Sequence, residues 1–136
     1  MNMEGIRTAL ITAMDFNWGL THPNIQVLYE NTIPVNLDAL GGAFIGCEIE
    51  FTAATQVSLE FSPTYRISGY MVLTAFLKEG HGTKQIYEHL DYLFSIFQHK
   101  NFAGVHTGTP TFGRTGQHNN FYFVELRVPF WADSNA

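Results

Sequence analysis

The sequence predicts an α+β fold: one antiparallel or mixed β-sheet with two α-helices packed on one face, forming a single domain over residues 1–136. Three observations predict it. Several segments alternate apolar and polar residues with the period of a half-buried strand. Two segments carry an apolar stripe at helical spacing instead. The order runs helix, several strands, helix, two strands, which suits helices gathered on one side of a sheet.

Residues 3–14 place Ile6, Ala9, Leu10, Ala13 and Met14 on one helical face, and Asn17 and Gly19 within 15–19 are expected to stop that helix. Residues 21–23 form a turn. Residues 24–30 alternate as a strand, with Ile25, Val27 and Tyr29 on one side. Residues 31–42 hold Pro34, Asn36, Asp38, Gly41 and Gly42 and read as a long irregular connection, uncommon in a compact domain unless it has a function or moves.

Residues 44–52 alternate again, with Ile45, Cys47, Ile49 and Phe51 opposite Glu48 and Glu50. Residues 56–61 repeat the pattern as a further strand, and Pro63 ends it. The longest strand is expected at 65–77. Both of its faces turn apolar towards Phe76 and Leu77, so that end is expected to be covered on both sides, one of them by another subunit.

The turn 78–83 (KEGHGT) has two glycines for positive φ, and Thr83 is placed to cap the next helix. That helix, 84 to about 99, carries Ile86, Leu90, Leu93, Phe94 and Phe97 on one stripe; His99 and Lys100 suit its dipole, and Asn101 its left-handed stop. Residues 105–112 read as a Thr- and Gly-rich strand, 113–120 as a polar loop, and 121–131 as the last strand.

A chain of 136 residues can bury its own core without metal or disulfide staples. Only 14% of residues are charged while 46% are hydrophobic and 15% aromatic, so part of the apolar surface is expected to meet other copies or partners. Net charge is −5 with no basic run, which removes the footprint of a nucleic-acid binder. The single cysteine, Cys47, excludes an intramolecular disulfide and reads as a buried, inert thiol. The N-terminus lacks the pattern of a signal peptide and no apolar run is long enough to span a membrane, so the expected setting is a reducing cytoplasm.

No catalytic residue is expected, and no metal or cofactor. The six histidines (His22, His81, His89, His99, His106, His118) fall at no ligand spacing and read as scattered. Gly80–Thr83 lacks the Lys-Ser/Thr of a phosphate loop and reads as a strand-to-helix turn. Glu48 and Glu50 read as solvated charges on a strand's polar face. Phe121, Tyr122 and Phe123 lack the surrounding Lys and Arg of a base-stacking site and read as core and interface packing.

Two segments carry a family resemblance. One is the strand opening Tyr65-Arg66-x-x-Gly69 that leads to Gly80-x-Gly82-Thr83 and an amphipathic helix. The other is the close Tyr122-Phe123-Val124-Glu125-Leu126-Arg127-Val128-Pro129-Phe130-Trp131-Ala132-Asp133. With the Thr21-His22-Pro23-Asn24 entry to the first strand and the order of elements, the chain resembles the tail terminator proteins of long-tailed bacteriophages over nearly its whole length.

The resemblance implies a non-enzymatic virion protein, assembled in the host cytoplasm. It would form a homo-hexameric ring at the head-proximal end of the tail, stopping tail-tube polymerisation and offering a surface to a head-completion or connector protein. DNA would only pass through the lumen; six copies at −5 each carry −30, a charge that repels it. Interface residues are then expected in three loops and the strand leading to one of them: Asn31, Pro34, Asn36, Asp38, Phe76, Lys78, Glu79, His81, Arg114 and His118. Another head–tail joining or tail completion protein is the alternative within this class; a small-ligand binding module is the alternative outside it.

Overall fold

The long strands of the sheet pair so that their core-facing residues fall on one side. The computed structural model describes residues 2–30, 42–58 and 64–135. Its elements are α1 (Met3–Thr21), β1 (Gln26–Tyr29), β2 (Ala43–Gln56), β3 (Thr64–Lys78), α2 (Lys84–Phe97), β4 (Asn101–Phe102), β5 (Val105–Thr107), β6 (Thr111–His118) and β7 (Phe121–Asn135). The seven strands form one mixed sheet in the order β1-β2-β3-β7-β5-β4, with β6 also on β7. Only β1–β2 is parallel. This is the α+β architecture read from the sequence.

Asn2 caps α1, its side chain accepting from Gly5 N at 2.8 Å. The expected stop at 15–19 does not occur, and the helix runs on to Thr21. Asn17 turns its amide back onto Ala13 O (2.8 Å), and Trp18 extends the buried stripe of Leu10 and Met14 by one turn. Burying an indole outweighs the poor helix propensity of Asn17 and Gly19. α2 buries Ile86, Leu90, Leu93 and Phe97. It starts after Thr83 as expected, although the Thr83 side chain makes no capping bond.

The helix ends at Phe97, so His99 and Lys100 lie beyond it. His99, not Asn101, takes the left-handed position (φ 49°). Asn101 instead opens β4 and accepts from Gly104 N at 2.9 Å. The buried Thr107 closes the helix end: its hydroxyl donates to Phe97 O (2.5 Å) and accepts from Lys100 N (2.9 Å).

Both helices pack on the same sheet face. Their stripes meet Ile45, Cys47 and Ile49 of β2, Met71, Leu73, Ala75 and Leu77 of β3, and Val124, Leu126, Val128, Phe130 and Ala132 of β7. Ile25, Val27 and Tyr29 join this core from the β1 side, as the alternation predicts. Cys47 is 1% exposed, and burial pushes its thiol up to about 12, which keeps it protonated and inert.

The C-terminal third departs most from the sequence reading. Residues 113–120 are not a loop: β6 spans Thr111–His118, and Asn119 and Asn120, both at positive φ (47° and 69°), turn it tightly into β7. The single strand expected over 105–112 is interrupted at residues 108–110, between β5 and β6. Likewise β2 is one strand to Gln56, and the separate strand at 56–61 is absent over Val57 and Ser58; 59–61 lie outside the described residues. Residues 31–41 also lie outside them.

The glycine of the Tyr-Arg-x-x-Gly segment has a physical reason. β2 slips register between Phe51 and Ala53, and the strand closes onto β3 there. A Cβ built on Gly69 would sit 1.9 Å from Glu50 O and 2.9 Å from the Phe130 ring. Gly69→Ala is expected to lower unfolding stability by at least about 2 kcal/mol, as overpacking does, read as a lowered urea midpoint.

Candidate interaction surface

The face of the sheet away from the helices carries its own aromatic row. Register places Phe44, Phe76 and Phe123 side by side on β2, β3 and β7. Phe44 and Phe76 stack at 4.4 Å between centroids, Phe76 and Phe123 tilt at 5.7 Å, and Phe121 meets Phe44 edge-on at 5.1 Å. The next row is Gly46, Thr74 and Glu125, and the one after it Glu48, Val72 and Arg127. Gly46 supplies no side chain, so a hollow opens beside the phenylalanines. Arg114, Gln117 and His118 of β6 border it, enclosing a cavity of about 590 Å³.

Glu125 is the buried charge of this surface, only 6% exposed. Arg114 neutralises it from the rim with Nε and Nη2 at 3.3 and 3.2 Å, and Arg114 N also donates to it at 3.4 Å. Gly113 allows this approach, since a Cβ there would lie 2.7 Å from Glu125 Oε1. Further along the face, Arg127 reaches Glu50 at 3.3 Å and lies over the Tyr70 ring at 4.8 Å.

The expected interface residues separate into two groups. Asn31, Pro34, Asn36 and Asp38 lie outside the described residues. The other six gather at one end of the sheet. Phe76, Arg114 and His118 line the cavity. Lys78 and Glu79 border a neighbouring hollow with Gln117 and Tyr122. His81 is exposed on the same turn, which Glu79 N ties to the β6–β7 turn by a 2.9 Å bond to Asn120 O. Sequence reasoning missed Phe44 and Gly46 in this surface, and named Phe123 only within a core and interface run. The signal for them was the apolar residues on the outward parity of their strands.

Two of the scattered histidines are in fact together. His22 stacks on Trp18 at 4.0 Å, and His89 meets both rings edge-on at 5.3 Å. Tyr92 closes the group and donates to Asn17 O at 2.9 Å, joining α2 to α1. Burial lowers the pKa of His22. It also lowers that of His89, with the charge of His22 adding and Glu88 opposing. Among the described residues no group of three or more His, Cys, Asp or Glu side chains could hold a metal ion, and no helix is long and apolar enough to cross a membrane.

No family model matches the chain, and no curated protein matches it. Solved structures do: 21 chains match. One of them, whose name states no function, aligns over 97% of this chain and 96% of its own with TM-score 0.72 and 13% identity. At that identity the likeness establishes the fold alone.

The histidine pair gives the fold a pH dependence. Unfolded, both imidazoles take up protons near pH 6.5; folded, they do so only at lower pH. Between those values the unfolded chain holds more protons. Their contribution to stability is therefore complete above about pH 7 and is lost as pH falls from 6.5 through the lower folded values. Urea midpoints between pH 8 and 5 are expected to fall, and to fall less in His22→Phe, which keeps a ring on Trp18.

Proposed function

We propose that this protein is a tail terminator of a long-tailed bacteriophage: a non-enzymatic ring subunit that caps the tail tube and receives the head. The observation that carries the reading is the convergence of Phe76, Lys78, Glu79, His81, Arg114 and His118 at one end of the sheet. The resemblance names them as contacts, and they come from two separate segments of the chain, 76–81 and 114–118.

The character of that end supports the reading. An aromatic row beside a hollow, rimmed by Arg114 and His118, suits an inserted side chain of another protein. Large apolar side chains are exposed elsewhere too: Met3, Phe16 and Leu20 on α1, Tyr87 on α2 and Phe112 on β6. A subunit enclosed in a ring and stacked on a tube has neighbours to cover such groups.

The decisive experiment is a deletion in the phage that encodes the chain, with tails viewed by negative-stain electron microscopy. Overlong tails or tails without heads are expected, and the plasmid-borne chain should restore normal particles. Tails of normal length joined to heads would sink the reading. A protein that stays monomeric and gains thermal stability from a metabolite would favour a ligand-binding module seated in the 590 Å³ cavity.

A further inference from the structure

The sheet has an end where both edges stand open. β1 pairs with β2 only as far as Tyr29↔Cys47. Beyond it every residue of β2 from Glu50 to Gln56 is exposed, and among the described residues no strand lies on its outer edge. On the other side of the sheet, β5 pairs with β7 at Thr107↔Phe130 and His106↔Trp131 and no further. From Ala132 to Asn135 the edge of β7 away from β3 likewise has no strand among the described residues.

The two open edges are level with each other. Ala54 pairs with Ile67 and Ile67 with Ala132; Thr55 pairs with Arg66 and Arg66 with Asp133. Both outer strands are antiparallel to β3, so they point the same way. A three-stranded ribbon thus ends in two edges of equal height and like direction, each with backbone groups facing outward.

The composition of the β2 edge is unusual for a strand left in water. Natural edges are blunted by lysine, proline, inward charge or a β-bulge. Phe51-Thr52-Ala53-Ala54-Thr55-Gln56-Val57 contains no charge and no proline. Its one irregularity is the register slip at Thr52, after which pairing with β3 resumes through Gln56. Such a segment is a ready strand for addition to another edge.

We propose that the outer edge of β2, residues 51–56, pairs with the outer edge of β7, residues 132–135, of a second copy of this chain, so that the sheet runs on from subunit to subunit. The occupant is a second copy because the chain itself supplies both halves of the joint at the same height. The joint is head-to-tail, using two different edges, and so repeats until rotation closes a ring. Closure into a ring rests on the ring reading above; the edge geometry does not.

Light scattering across a concentration series, with amide exchange read by mass spectrometry, tests this. Wild-type protein is expected to assemble and to gain exchange protection in both 51–56 and 132–135. Ala53→Lys with Ala54→Lys places charge on the open edge, opposite Ser68 and Ile67. It is expected to weaken assembly at least about tenfold while circular dichroism and the thermal midpoint of the subunit stay unchanged. Wild-type-like assembly by the folded lysine variant would overturn the edge pairing and leave the tail-terminator reading standing. Protection of 51–56 alone, in a dimer, would replace the head-to-tail joint by β2–β2 pairing and overturn it. Assembly with neither segment protected overturns it without any variant. A wild-type monomer at every concentration would overturn the joint and remove the support that self-association gives to the ring.

Discussion

The unbroken ladder between β3 and β7 is the constraint on which the rest depends. It runs from Thr64↔Asn135 to Lys78↔Phe121 without a register slip. Side chains in a strand alternate faces, so this one register decides what both faces of the sheet are. It puts Met71, Leu73 and Ala75 beside Val128, Leu126 and Val124 under the helices, and it puts Phe76 beside Phe123 on the other face. A slip of one residue would turn the helix-facing core outward. The pairing joins distant parts of the chain and closes a large loop, whose entropy cost is met only when the apolar rows on both faces form together.

A sheet with two apolar faces and helices for only one of them has a leftover surface. Here the leftover surface is partly self-covered. Phe44, Val72, Phe121 and Glu125 are buried although no helix among the described residues lies over them, while Phe76 and Phe123 are half-buried. Its aromatic content thus serves stability at the edge of the hollow and leaves a shaped depression at Gly46. That is the physical sense in which a low share of charged residues and a high share of aromatics bear on binding.

Much of the fold was legible in the sequence because β2, β3, β7 and the two helices each carry a strong period. β3 is read almost residue for residue, and α2 is in place apart from its last turn. What was not legible had a competing signal. Asn17 and Gly19 spell a helix stop, yet Trp18 between them has a core to fill. Gly113, Gly116 and the polar residues around them spell a loop, yet β7 offers an edge that needs a partner, and Glu125 fills the space over Gly113. The asparagine pair 119–120 was the local clue to that hairpin. For the interaction surface, Phe76, Arg114 and His118 were named individually, but the row they border depends on cross-strand register, which no local pattern encodes. The His22–His89 contact was hidden for the same reason, since it needs the two helices laid side by side.

Along the open side of β7, the partner strand carries spare residues. The sum of paired residue numbers is constant within a register. It rises by one between Thr107↔Phe130 and Thr111↔Arg127, and by one again between Phe112↔Leu126 and Thr115↔Val124. Each added residue inverts which side chains face the helices, and the second restores what the first inverted. The two slips behave like paired frameshifts in a message. Thr111 and Phe112, lying between the slips, therefore face opposite to the parity that the strand keeps on either side of them.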